Sequence, residues 1–257
     1  SEMTKITVIM AMAAYYDWLD IRRVSHPLWV ALAVVLIMVP AFLVLKQPDL
    51  GTALLIASSG AFCIFLGGVR WRLIGAVALV GAACAPILWY AMHDYQQQRV
   101  LTFLNPEGDP LGAGYHIIQS KIAIGSGGLY GKGWLNGTQS QLEFLPERRT
   151  DFIFAVFSEE FGFLGVTALL VAYMFVVLRG LYIATYAQEP FGRMVAGSLI
   201  LTFFVYVFVN IGMVSGLLPV VGLPLPLVSY GGTSLVTVMA GFGLIMSIHT
   251  HRRLLSQ

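Results

Sequence analysis

Apolar residues fall along this chain in long unbroken runs, not in the one-faced or alternating patterns of a soluble domain. Seven runs approach or exceed the roughly 20 residues that a helix needs to cross a hydrocarbon core. They lie at 3–16, 28–45, 50–68, 72–91, 152–178, 192–216 and 228–248. Breakers separate them: Pro27, Lys46-Gln47-Pro48, Gly67-Gly68, Glu189-Pro190, and the stretch from Pro219 to Pro226. None alternates with period two, as the strands of a closed barrel would. The pattern predicts an all-α polytopic membrane protein, a single integral domain over 1–257 with seven transmembrane helices. One large extracytoplasmic loop, 92–151, departs from the apolar background. The first run is short, and Ser1-Glu2-Met3-Thr4-Lys5 has neither the basic start nor the cleavage site of a signal peptide. It reads as a chain whose true beginning lies upstream.

Composition sharpens this reading. Charged residues make up 11% of the 257, against roughly 25% in soluble domains. The net charge of +2 is small and says nothing about nucleic acid, but the sequence has no basic run of the kind that nucleic-acid binders use. Cys63 and Cys84 both sit in apolar runs, which argues against a disulfide framework or a thiolate metal site. Cations in short loops set orientation. Arg22 and Arg23, Arg70 and Arg72, Arg179 and Arg193, and Arg252 and Arg253 fall on one side, assigned to the cytoplasm. The 46–49 turn, the 217–227 loop and the long loop then face outward.

The outer face holds the candidate chemistry. The long loop carries nine glycines between Gly108 and Gly137, and its 111–124 stretch has the apolar spacing of a helix lying on a membrane. Asp151 closes the loop and opens an apolar run, beside Arg148 and Arg149. It reads either as a helix N-cap or as a catalytic carboxylate. Glu159 and Glu160 lie inside that run, where charges are paired or functional; at least one is expected to be held by structural pairing. Glu2 and Lys5 share a helix face, and Asp49 stands where an N-cap belongs. His93 and His116 have no ligand spacing, so no metal site is legible. From Asn210 to Ser234 the chain reads NIGMVSGLLPVVGLPLPLVSYGGTS. Such irregular backbone at membrane depth needs protein or a cavity over it, so it should line a cleft facing the long loop.

These residues resemble the SEDS family of bacterial cell-wall polymerases, whose members include RodA, FtsW and SpoVE. The resemblance rests on Asn210, Gly216-Leu217, Pro219, Gly222 and Ser229-Tyr230-Gly231-Gly232-Thr233-Ser234. It also rests on Leu145-Pro146-Glu147, Thr150 to Ala155, Glu159-Glu160, Gln47 to Gly51 and Ser1-Glu2…Lys5. Flanking details such as Val207 to Met213 look nearest to the RodA branch of Gram-negative bacteria.

The resemblance implies a ten-span fold of which the fourth to tenth spans are present. It implies a glycosyltransferase that polymerises lipid II into β-1,4 glycan at the outer face of the bacterial cytoplasmic membrane, for cell-wall elongation and rod shape. It assigns Asp151 as the catalytic base. Glu2, Lys5, Asp49, Arg99, Lys121, Glu143, Glu147, Ser229, Gly231 and Gly232 are expected to bind substrate. No cofactor is required outright, though a divalent cation, Mg or Mn, could neutralise the leaving diphosphate. The implied partners are a class B penicillin-binding protein transpeptidase and membrane proteins of the elongation complex. Broken helices and intramembrane carboxylates also suit a lipid-precursor flippase or transporter, or a scaffold without chemistry.

Overall fold

The structure is a computed structural model. It describes residues 1–257 except 21, 48, 85, 87–88, 91–93, 106–107, 109–112, 142–147 and 251–257. Its helices are α1 (Thr4–Trp18), α2 (Pro27–Leu45), α3 (Leu50–Leu66), α4 (Trp71–Ala83), α5 (Asp94–Leu104), α6 (Ala113–Ser126), α7 (Thr138–Gln141), α8 (Ile153–Thr185), α9 (Pro190–Val214) and α10 (Gly232–Thr250). No strand occurs among the described residues. Helices α2, α8, α9 and α10 are long and apolar enough to cross a membrane, and α3 and α4 are shorter apolar helices. Among the described residues, four of the seven expected spans are thus met by full-length helices, and α3 and α4 fall short of that length.

Three boundaries move for identifiable reasons. Helix α4 gives out at Cys84, two residues before Pro86, instead of reaching residue 91. The last run starts at Gly232, not 228, because residues 226–230 form a turn after Pro224 and Pro226. Helix α8 extends to Thr185, past the expected end at 178. Arg179, assigned to a loop, sits within it, its guanidinium 5.2 Å from the Tyr182 ring centre.

The chain forms two compact units. The first holds residues 1–85, 175–205 and 233–257. Its core is a stripe down each helix: Ile9, Met12 and Ala13 from α1, Ala33 and Ile37 from α2, Ile56 and Cys63 from α3, Met194 and Val195 from α9. The outward faces stay apolar, with Leu28, Leu32, Val35, Leu36, Val39 and Phe42 all exposed on α2. A helix that is apolar on its open face has lipid for a solvent. Small residues set the close approaches: a Cβ at Gly60 would collide with the Ile37 side chain, and one at Gly180 with Ile200.

The second unit holds residues 86–174 and 206–232. Its organising feature is a break in α8. At Gly162 φ is +64° and ψ is −164°, a region open almost only to glycine. The glycine-rich stretch 127–133 fills the gap. Phe163 N–H donates to Gly128 O at 2.9 Å and Leu164 N–H to Leu129 O at 3.1 Å. In return Lys132 N–H donates to Glu159 O and Gly133 N–H to Glu160 O, each at 3.0 Å. Four helix-ladder groups that the break orphans are thus paired with the loop. A Cβ at Gly127 would strike Ser158 O, one at Gly131 would strike Glu160 O, and one at Gly162 would strike Gly131 N. The contact is backbone on backbone.

The Glu159 side chain locks the same loop. It is fully buried, and its Oε1 accepts from Lys132 Nζ at 2.7 Å, Thr138 Oγ1 at 3.0 Å and Gln139 N–H at 3.2 Å. The expectation of a structurally paired carboxylate is met here. The roughly 23 residues after Gly162 rise about 35 Å at 1.5 Å each, enough to cross a hydrocarbon core by themselves. The first turns of α8 are thus free to stand on the loop side of the membrane, with Glu159 covered by protein.

Beyond Val214 the chain leaves helix until Gly232, as the prolines and glycines predict. Asn210 holds this segment: its Nδ2 donates to Asp151 O at 2.9 Å and to Leu223 O. Ser229 Oγ accepts from Leu225 N–H and donates to Thr150 O, both at 2.6 Å. Tyr230 N–H donates to Arg149 O at 2.9 Å, and Tyr173 OH donates to Pro226 O at 2.6 Å.

Two outcomes follow. Gly162→Ala should lower stability by about 1–3 kcal/mol from backbone strain alone, seen as a lower unfolding midpoint in detergent. Gly81→Ala, whose Cβ meets open space, should not lower it. Asn210→Ala strips two carbonyls of their donor and should cost about 1–3 kcal/mol. Its proteolytic nicking should concentrate in 215–231, which the same experiment reads by mass spectrometry.

Candidate active site

The sequence-picked polar residues fall into two groups, one in each unit. In the first unit, α1 presents Lys5 back toward Glu2, one helical turn away. Lys5 is only 4% exposed, and its Nζ lies 2.7 Å from Glu2 Oε2. Glu2 Oε1 accepts from Thr52 Oγ1 at 3.3 Å. Asp49 is the N-cap of α3, its Oδ1 accepting from Thr52 N–H at 2.9 Å, and its Oδ2 accepts from Ser1 Oγ at 3.3 Å. Lys5, Glu2 and Asp49 are thus joined through Thr52, a residue the sequence reading passed over. Buried ammonium groups need such partners, since an unpaired one is costly away from water. The Lys5 ammonium is therefore a fixed charge held in place, not a mobile side chain reaching into solvent.

In the second unit, Asp151 stands two residues before α8 begins and is half-buried. Its backbone is fixed by Asn210, and its Oδ2 lies 3.5 Å from where a Cβ at Gly222 would stand. Gly222 has φ +75°, which favours glycine and leaves the side of the carboxylate open. The Asp151 carboxylate accordingly faces the 219–225 turn, and the α8 N-terminus behind it supplies a positive dipole end. Lys121 is exposed on α6 and lays its stem against Gly216, where a Cβ would collide with Cε. Arg99 is half-buried on α5. Both are cations of the unit that holds Asp151.

Other expected site residues stand as follows. The Ser229 hydroxyl is engaged by Leu225 and Thr150, so its main effect is to fix the turn that reaches Asp151. Gly231 is half-buried and Gly232 opens α10, with nothing within 4 Å of a Cβ at Gly232. Glu143 and Glu147 lie outside the described residues. Among the described residues no three His, Cys, Asp or Glu side chains gather as a metal would require.

Comparison with known proteins bears on the family of the chain as a whole. The family profile described as "Cell cycle protein", FTSW_RODA_SPOVE, matches residues 1–254. The peptidoglycan glycosyltransferase MrdB of Escherichia coli K12 is 62% identical over 260 residues, covering all of this chain and 69% of that protein. A probable peptidoglycan glycosyltransferase FtsW of Geobacter metallireducens is 38% identical over 256 residues, covering 98% of this chain and 67% of that one. Among solved structures, a chain of a peptidoglycan synthase complex that coordinates polymerization and crosslinking superposes with a TM-score of 0.78 at 32% identity. It covers 97% of this chain and 69% of its own. The rod shape determining protein RodA of Thermus thermophilus gives a TM-score of 0.65 at 28% identity, covering 97% of this chain and 64% of its own. The helical membrane fold, the Asp151 turn and these matches run the length of the chain, which belongs to the FtsW/RodA/SpoVE family.

Proposed function

We propose that this protein is a peptidoglycan glycosyltransferase that polymerises lipid II at the outer face of the cytoplasmic membrane, with Asp151 as general base. The observation that carries the reading is the clamp on Asp151. A half-buried carboxylate sits at the start of α8, its backbone pinned by Asn210 and its side chain against the glycine of the 219–225 turn. Relatives of high identity are named for this activity.

The chemistry asks little more than such a group. The acceptor 4-hydroxyl loses its proton to Asp151 as its oxygen bonds to the donor anomeric carbon. The bond from that carbon to the diphosphate oxygen breaks, and the electron pair leaves with the polyprenyl diphosphate. An α-linked donor becomes a β-linked product by direct displacement. The leaving group needs charge neutralisation, not a proton. Arg99 and Lys121, in the unit of Asp151, are the candidate donors, and the family resemblance adds Lys5. A divalent cation would supply the same charge. Glu2 and Asp49 hold Lys5 in its site, Ser229 and Gly231 shape the turn beside Asp151 with Gly232 following, and Glu143 and Glu147 complete the proposed substrate-binding set. The partner reading is a class B penicillin-binding protein, supported by similarity to a chain of a synthase complex that couples polymerization to crosslinking. Elongation-complex membrane proteins are the wider setting.

Labelled lipid II and the native protein in detergent test the reading. Asp151→Asn should reduce glycan formation by about 100-fold or more, the range for loss of a general base, with the unfolding midpoint unchanged. Wild-type polymer yield from Asp151→Asn would contradict it.

A further inference from the structure

The break at Gly162 marks a depth. Every residue of α8 from Phe161 to Leu178 is uncharged, while Glu159 and Glu160 precede the break. Charges are costly in hydrocarbon, so the apolar interior of the bilayer begins near Phe163. Phe163 and Leu164 are exposed there, as are Val171 and Met174 further along the helix. The loop enters at this level, because Phe163 N–H donates to Gly128 O and Leu164 N–H to Leu129 O. Its tip is thus held where protein, headgroups and hydrocarbon meet.

What the tip turns outward is apolar. Leu129, Trp134 and Leu135 are exposed, and Tyr130 is 80% exposed. The one cation among residues 129–135, Lys132, is drawn inward, its Nζ 2.7 Å from the fully buried Glu159 Oε1. Trp134 leans on Phe161 with ring centres 5.7 Å apart, which fixes its indole. Leu135 has φ +61°, a left-handed backbone that a leucine adopts rarely and at a cost. Contiguous apolar side chains on a surface mark a contact with a membrane or another protein. Trp and Tyr in particular concentrate where hydrocarbon gives way to headgroups.

We infer that residues 129–135 are a membrane-dipping tip, seated in the headgroup and upper acyl region of the adjoining leaflet. This goes beyond the proposed function and does not rest on it. Lipid is favoured over a partner protein because the patch continues the exposed apolar face of α8 at Phe163 and Leu164, to which its backbone is bonded. Leu129 and Leu135 enter the acyl boundary, while Tyr130 OH and Trp134 Nε1–H donate to headgroup and ester oxygens. With the Lys132 ammonium neutralised by Glu159, no charge of the tip opposes insertion. The tip then fixes the depth of the whole loop that fills the Gly162 break.

The test places a nitroxide on Tyr130→Cys in the native protein, in phospholipid nanodiscs, with the half-buried Cys84 replaced by serine. Collisions with oxygen, which concentrates in hydrocarbon, and with a water-soluble nickel chelate report the depth of the label by EPR. Oxygen should dominate and place the label about 5–10 Å into the headgroup and acyl boundary, shallower than the same label on Val171→Cys. Trp134→Cys should read as Tyr130→Cys does; both positions are on the surface, so a second label covers a failure of the first to fold. Nickel collisions dominating at both positions put the tip in water and overturn the proposal. Labels shielded from both colliders overturn it too, and assign the patch to a contact with protein, either a partner or another part of the chain.

Discussion

Backbone amides and carbonyls cannot be left unpaired beside a membrane, and the loop side of this protein is built around that constraint. Helix α8 is interrupted at Gly162, and the interruption survives only because residues 127–133 supply the missing donors and acceptors. Glycine is required on both sides, since the two backbones meet too closely for a Cβ. The fully buried Glu159 then draws in Lys132, Thr138 and Gln139, so side chain and backbone fasten the same loop twice. A loop this rich in glycine would otherwise lose much entropy on ordering.

The same logic places the Asp151 carboxylate. Residues 215–231 carry no regular hydrogen-bond ladder, so side chains take over: Asn210 for Asp151 and Leu223, Ser229 for Thr150 and Leu225. Each pairing satisfies an irregular carbonyl or amide and at the same time fixes the residues just before α8. Position and stability therefore come from one set of bonds. The adjacent carboxylates of α8 differ in surroundings: Glu159 closes the structure, while Glu160 lines a pocket with Trp134 and Phe157.

Much of this was legible in the sequence, and what was not has a common cause. Apolar run length gave the helical membrane class, and Asp49 as a cap, the Glu2–Lys5 pair and a helix at Ala113–Ser126, close to the expected 111–124, followed from local spacing. The breakage after Asn210 followed from its prolines and glycines. The Gly162 break did not, because one glycine in an apolar run barely alters the pattern and its partners lie some 30 residues upstream. Helix α8 runs on past 178 because Arg179, a charge of the kind that marks loops, stays on the helix. A long stem lets such a residue stay on a helix. The surroundings of Asp151 were equally hidden, since Asn210 is 59 residues further along the chain. Single-sequence reading sees neighbours in sequence, and these bonds join neighbours in space.

The central claim is that the Asp151 carboxylate takes the proton of the acceptor sugar. A structure of the native protein holding a glycan acceptor and an unreactive lipid II donor tests it most directly. The account predicts an Asp151 carboxylate oxygen within about 3 Å of the acceptor 4-oxygen, the reach of a general base. An acceptor hydroxyl held by a different base, with Asp151 turned away from both sugars, would contradict it.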